Sequence, residues 1–344
     1  MKNVVFTDTA REVEFKPDSI FERYLAMNAA DIKKEFGNKK NLISSICPAC
    51  RSDEHKKAFV KSGFPYLECT NCGTVYMSPR PDDHDIRNHF LAAPSSHYWQ
   101  ETLTQTTAEK RREKIYLPRF QWILDTCDEY LSGPKIIADI HSKNINFTQE
   151  LVKSKNFSKK IIANPYFDPS SMDEPPHSST NMSIVLETRE QKKERDRANV
   201  ITAFEVLDYT SDVDALMSTI RDLLSGDGLC FITTISISGF DLQVLWEHSE
   251  SVFPLDRINV FSYRGLKIFF ERHGFDLIEF STPGMLDLNI VEEAYRKHPG
   301  RRIPRFIKTM IERNDEQLKK DFQMFLQVNK LSSFVRIVAR KKRV

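Results

Sequence analysis

Four cysteines form two C-x-x-C pairs, Cys47-Pro48-Ala49-Cys50 and Cys69-Thr70-Asn71-Cys72, with eighteen residues between the pairs. Thiolates at this spacing can close a tetrahedral zinc site with no open coordination position. Gly73 follows the second pair, where a metal knuckle turns tightly and favours a residue without Cβ. Pro48 stiffens the first knuckle. A redox dithiol or a pair of disulfides are the other chemistries open to these thiols. A redox C-x-x-C needs no matching second pair, and disulfides are unusual in a chain without an export signal. We therefore expect one structural zinc on Cys47, Cys50, Cys69 and Cys72. Such a site holds a module together and leaves any reaction to other residues.

The elements that must position this site and any other are set by an ordinary globular composition. The chain has 344 residues, 40% hydrophobic and 28% charged, with a formal net charge of +2. It can bury a real core and has room for two domains. The near-neutral balance gives no electrostatic case for nucleic acid. Arg51, Lys56, Lys57 and Lys61 in the zinc module are offset by Glu54 and Glu68. No run approaches the roughly 20 apolar residues of a membrane span, and the first residues do not read as a signal peptide. Cys127 and Cys230 sit in apolar surroundings as expected buried thiols, which points to a reducing, cytoplasmic compartment. The basic tail Arg340–Arg343 reads as solvated charge ending a strand.

Along the chain, residues 1–46 are polar with a helix over Ser19–Phe36, residues 47–81 form the zinc module, and residues 82–131 are helical. Tyr66–Glu68 and Thr74–Met77 read as a hairpin about the second knuckle. From Gly133 onward strands and helices alternate. Strands are expected at Lys135–Ile140, Lys160–Asn164, Met182–Leu186, Val200–Phe204, Leu229–Thr234, Phe275–Phe280 and Phe334–Ala339. Helices fall at Phe147–Ser154, Val213–Leu224, which Gly226 ends, and Tyr263–His273. A helical insertion spans residues 287–331. This alternation over residues 132–344 means an α/β fold with a largely parallel sheet.

Four passages then carry a resemblance. They are the ribbon leading into Ser78-Pro79-Arg80-Pro81; Phe204-Glu205-Val206-Leu207-Asp208-Tyr209 with Leu223-Leu224-Ser225-Gly226-Asp227-Gly228; Pro254-Leu255-Asp256-Arg257-Ile258-Asn259-Val260-Phe261-Ser262; and Gly274-Phe275 with Ser281-Thr282-Pro283-Gly284. Together they resemble the class I S-adenosylmethionine-dependent methyltransferases with an N-terminal zinc ribbon, many of which act on nucleotide-linked sugars or surface polysaccharides. The likeness covers about residues 45 to 340. It implies a Rossmann-like seven-stranded sheet, with the last strand antiparallel beside the fifth and the insertion over one end of the substrate cleft. It also implies a cofactor at the carboxyl ends of the strands, as expected of open α/β sheets. On that reading Asp139, His141, Asn164, Phe204 and Glu205 meet the cofactor. Tyr98, Arg257 and Asn259 meet the acceptor, Asn259 alternatively fixing a turn. Asp208, Tyr209 and His248 are the available proton acceptors.

The chain departs from the family at three points. The first turn reads Asp139-Ile140-His141-Ser142-Lys143-Asn144, with no glycine between Gly133 and Gly226. Side chains there would crowd a close backbone approach to the cofactor. The second strand ends in Asn164 in place of an acid. Asp208-Tyr209 and Arg257 stand where the family carries histidines, and an arginine is no base at neutral pH. Two functions follow. One is methyl transfer from S-adenosylmethionine to a sugar or sugar nucleotide. The other is an inactive methyltransferase fold that binds a sugar nucleotide, a protein partner or a second copy of itself. The arginines around Pro299-Gly300, Arg301, Arg302 and Arg305, read either as a phosphate contact or as a solvated face.

Overall fold

The computed structural model describes residues 1–6, 10–38, 41–140, 145–163, 182–185 and 197–342. Eleven strands among them are β1 (His55–Lys61), β2 (Phe64–Cys69), β3 (Val75–Met77), β4 (Ile136–Ile140), β5 (Lys159–Ala163), β6 (Met182–Val185), β7 (Ala198–Phe204), β8 (Leu224–Ile235), β9 (Asn259–Val260), β10 (Phe275–Ser281) and β11 (Phe334–Lys341). Seven of them make one sheet in the order β10-β11-β8-β7-β4-β5-β6. The pairs from β8 through β6 are parallel, while β11 runs antiparallel to both β8 and β10. The expected insertion of the last strand beside β8 is what the chain does, with Val335 opposite Thr234 and Ala339 opposite Cys230.

Both faces of this sheet are covered, which is why its central strands are near-continuous apolar runs. Ile201, Cys230, Ile232 and Ile337 face a cluster with Leu216, Ile220, Leu266 and Phe269 on one side. Ile137, Val200, Phe231 and Val338 meet Trp122, Ile123, Phe147 and Leu151 on the other. The strand β8 starts earlier than Leu229–Thr234. Leu224 pairs with Ala198 before a register shift, so the helix Val213–Leu223 is ended by sheet pairing and not by Gly226.

The second sheet has the order β1-β2-β3-β9. Three strands come from the cysteine module, and β9 reaches in from residues 259–260 to pair with Val75 and Tyr76. Neither β1 nor β9 is legible in the sequence. The strand β1 is an edge strand dominated by lysines, and β9 is two residues long. The helix Tyr263–Arg272 packs against the same module, and Gly265 permits it. A Cβ there would lie 2.2 Å from Thr74 Oγ1 and 3.1 Å from Ala49 Cβ. The Ser262 hydroxyl donates to the Cys72 carbonyl, and Arg272 donates to the carbonyls of Pro48 and Ala49 at 3.2 and 3.3 Å.

The helices of residues 287–331 dock beside residues 240–245. Their apolar side, Val291 and Ile307, is taken up by Leu245 and Phe240 of the helix Phe240–Leu245. The far end returns to the body at Ser332-Ser333, where Asp287 accepts from the Ser332 hydroxyl and from Ser333 N–H at 2.6 Å. The insertion is thereby held beside residues 240–245, and no described residue of it lines the central cavity. Among the described residues no helix is long and apolar enough to cross a membrane.

Candidate functional site

Backbone hydrogen bonds fix the local chain around the cysteines. The N–H of Arg51 donates to the Cys47 carbonyl at 3.0 Å, and that of Gly73 to the Cys69 carbonyl at 2.8 Å. Each knuckle then turns through a left-handed residue, Arg51 at φ 65° and Gly73 at φ 78°. Two such turns face the four sulfurs toward one point. Cys47 Sγ lies 3.5 Å from Cys72 Sγ, and Cys50 Sγ 3.5 Å from Cys69 Sγ. All four lie within 4.8 Å of one another, and none is in a disulfide. Tetrahedral zinc–thiolate bonds of about 2.3 Å require sulfur separations of about 3.8 Å. The donor set and its spacing fit a thiophilic tetrahedral ion.

The second site is a cavity of about 630 Å³ at the carboxyl ends of β4, β7 and β8. That is the edge where open α/β sheets bind ligands, and the size suits a small molecule. Phe204 and Glu205 form its floor at the end of β7. Asn146 and Gln149 enter from the helix Ile145–Lys153 that follows β4. The wall opposite is Trp99, Arg111 and Tyr116, and Phe253, Asp256 and Arg257 close the side. The wall residues belong to a helical run with two π-helical stretches, Trp99–Thr104 and Arg112–Tyr116. Such stretches recur at functional sites because they re-aim side chains that an α-helix would send elsewhere.

Glu205 is the most constrained of these residues. It turns the chain from β7 into the short helix Val206–Tyr209 in a single step, at φ 62° and ψ 8°. This is left-handed backbone that a residue with Cβ adopts at a cost. Its carboxylate accepts from Arg119 Nη2 at 2.6 Å, while its side chain stays 37% exposed. Burial pushes this carboxyl up, but the Arg119 and Arg257 charges outweigh it and hold it below the usual range. Arg119 is itself buried and lies over the Phe204 ring at 5.2 Å. Arg257 is ringed by acids, with Asp256 Oδ2 at 2.8 Å and Asp208 Oδ2 at 3.3 Å. Burial disfavours its charge, but Asp256, Asp208 and Glu205 together raise its pKa.

Of the residues expected here, Phe204, Glu205, Tyr209 and Arg257 line the cavity. Three others stand behind its wall. Asp139 is fully buried and accepts from Thr148 Oγ1 at 2.9 Å and Thr202 Oγ1 at 2.7 Å. It ties β4 to β7 and to the following helix. Burial pushes it up to about 6 against the pull of the two hydroxyls. Asp208 accepts from Thr234 Oγ1 and is pushed up to about 7 by burial, which the Arg257 charge opposes. Asn259 donates to the carbonyls of Leu207 and Thr210 at 2.9 and 2.8 Å, so it fixes the turn that carries Asp208 and Tyr209.

Two candidates lie elsewhere. Tyr98 sits under the Arg23 guanidinium, 5.3 Å from its ring, and packs with Phe21, Tyr24 and Leu103. The π-helical turn that begins next to it presents Trp99 to the cavity in its place. His248 lies on an exposed turn outside the cavity. The Trp246 ring packs on Phe59 of the cysteine module at 5.6 Å, and its unusual backbone (φ 47°, ψ −119°) turns Glu247 and His248 outward. His141 and Asn164 fall outside the described residues. Nothing in the sequence marks Arg119, Trp99 and Tyr116 as site residues, since a helical run of mixed charge gives no sign of which residues a π-turn will aim inward.

The fold and cavity define a doubly wound α/β class with an antiparallel strand set into the sheet. Residues 146–279 match the model of the methyltransferase domain family. That stretch of the chain is therefore similar to a methyltransferase domain. No curated protein matches it. Among solved structures it is similar to the plantazolicin methyltransferase BamL, in complex with a triazolic desmethylPZN analog and SAH. The identity is 10% over 75% of this chain and 94% of that one, with a TM-score of 0.46. It is also similar to the Burkholderia thailandensis 1,6-didemethyltoxoflavin-N1-methyltransferase with bound 1,6-didemethyltoxoflavin and S-adenosylhomocysteine, at 11% identity over 84% and 100%, with a TM-score of 0.46.

Proposed function

We propose that this protein is an S-adenosylmethionine-dependent methyltransferase that acts on a small polar acceptor of the sugar or sugar-nucleotide class, with a zinc ion on its four cysteines. The observation that carries the proposal is the cavity at the ends of β4 and β7, about half of whose lining, Asn146, Gln149, Phe204 and Glu205 included, lies in the segment matched by the methyltransferase domain family. When bound, the cofactor supplies an electrophilic methyl group. Phe204, Glu205, Asn146 and Gln149 would hold it. An ionised Glu205 and the surrounding aromatic faces suit a ligand with a cationic centre. Trp99, Tyr116 and Phe253 exclude water and confine an acceptor, so rate would come mainly from alignment of the reactants. Glu205 is held ionised and is a weak base. Glu101, Tyr209 and Asp256 are further lining groups that could take an acceptor's proton, and an acceptor that is already nucleophilic suits the site best.

Calorimetric titration with S-adenosylhomocysteine tests the cofactor half. Low-micromolar binding that is lost on Phe204→Ala supports the reading. No binding by the wild type, by Phe204→Ala or by His141→Gly would sink it and favour the inactive-fold alternative. With His141 in the first turn, the His141→Gly variant is expected to bind more tightly than the wild type.

A further inference from the structure

A second concave surface lies on the far side of residues 246–257. Its volume is about 690 Å³, and it is lined by His248, Lys297, His298, Arg301 and Arg302 around the turn Pro299-Gly300. Among the described residues no carboxylate lines it. The turn closes by a hydrogen bond from Arg301 N–H to the His298 carbonyl at 2.9 Å. Arg301 Nη1 is buried and has no hydrogen-bond partner among the described residues. A buried guanidinium nitrogen without a partner is costly to leave so, and a planar fork of this kind suits a phosphate or carboxylate. A Cβ at Gly300 would meet nothing within 4 Å, so the tip of the turn is bare toward the cleft. Lys61 also approaches, donating to the Ser249 carbonyl. Burial and then the Arg301 charge lower its pKa to about 8 against the pull of Glu250 and Glu247. Glu250 acts on both Lys297 and Lys61 from the edge of the cluster, and the other acids nearby are engaged or turned away. Asp18 and Glu22 pair with Lys297 at 2.8 and 3.6 Å, and Glu247 lies 3.7 Å from the exposed His248.

This cleft adjoins the central cavity along two stretches of chain. His248 lines the cleft and Ser251 the cavity, and three residues span at most about 11 Å. Lys16 lines the cavity, and Asp18 two residues on holds Lys297. We propose that the cleft binds the phosphate or diphosphate group of a small acceptor whose reacting part occupies the central cavity. The assignment of that anion to an acceptor rests on the methyl-transfer reading. The anion site itself does not. Arg301 and Arg302 would grip it as forks, Lys297 and His298 would add charge from the rim, and the Pro299-Gly300 backbone would let it approach.

The probe is inorganic pyrophosphate, titrated calorimetrically into the full chain, with S-adenosylhomocysteine titrated separately. The wild type should bind pyrophosphate in a manner weakened by salt. The double variant Arg301→Ala/Arg302→Ala should lose about tenfold or more in that affinity. Glu247→Gln should gain. Neither change should alter S-adenosylhomocysteine affinity, since none of these side chains lines the central cavity. Equal pyrophosphate binding by wild type and double variant, or none by the wild type, overturns the inference and leaves the methyl-transfer reading standing. Pyrophosphate binding that depends on both arginines in a protein that ignores S-adenosylhomocysteine keeps the anion site and removes the methyl-transfer reading.

Discussion

Glu205 and Asp139 do opposite things with a carboxylate at the carboxyl edge of one sheet. Glu205 keeps its charge because Arg119 faces it at 2.6 Å. Glu205→Gln would leave the buried Arg119 cation without its partner. Urea unfolding should show a loss on the order of 2 kcal/mol, less than for a fully enclosed pair because Glu205 is 37% exposed. Among the described residues Asp139 has no cation beside it, only two threonine hydroxyls, and its carboxyl is raised to about 6. The folded state therefore binds its proton more tightly than the unfolded chain does. The stability this gives is full below the unfolded value near 3.8 and is lost as pH rises through about 6. Asp139→Asn should remove that loss. Its stability relative to wild type should rise by about 1.4 kcal/mol between pH 5 and pH 8 in urea unfolding. A difference that stays flat over that range would mean Asp139 is not held as the buried acid described here.

At the scale of elements, the cysteine module is docked by backbone as much as by side chains. Strand β3 pairs with β9, Ser262 meets the Cys72 carbonyl, and Gly265 lets the helix Tyr263–Arg272 approach Thr74. Gly265→Ala would force this contact apart, since backbone and a buried hydroxyl cannot both give way. Overpacking of this kind costs about 1–3 kcal/mol, and differential scanning calorimetry should show the corresponding fall in melting temperature. For the metal, elemental analysis should find one zinc per chain in the wild type. Cys50→Ser should lower it well below one, while Cys127→Ser should leave it unchanged. Cys127 is buried in the core behind Trp122 and Ile123, far from the other thiols in the fold.

At the scale of the molecule, the two sheets share structure. The segment 246–262 carries the turn that packs on Phe59, the side of the central cavity and the strand β9. Metal loss should therefore reach the cavity. Removing zinc with a chelator should lower the temperature of one cooperative transition and weaken S-adenosylhomocysteine binding together. Two well-separated transitions, with ligand binding unchanged by the chelator, would show the module to be an independent appendage.

Much of this architecture was legible because it follows from local patterns. The apolar runs Ile136–Ile140, Val200–Phe204 and Leu229–Thr234 could only be strands covered on both faces, and their alternation with helices fixed a parallel sheet. The doublet of C-x-x-C pairs named its own partners, since ligand spacing is a local property. Phe204 and Glu205 were legible for the same reason, as the end of a strand at the ligand-binding edge. What required the tertiary structure is long-range. Nothing near Asp139 in sequence says that Thr202 will cross the sheet to occupy it, and nothing near Asn259 says that it will hold the carbonyls of Leu207 and Thr210. The strand β9 is too short to show a period, and a lysine-rich edge strand such as β1 shows no apolar alternation. The cavity wall at Trp99, Arg111 and Tyr116 depends on π-turns whose hydrogen bonds leave no pattern in residue type. The basic cleft joins His248 to Lys297 and Arg301 from segments about fifty residues apart in sequence. A sequence states which groups are available to a site. Only the packing of the insertion against residues 240–245 and the return of the chain into β11 decided which of them meet.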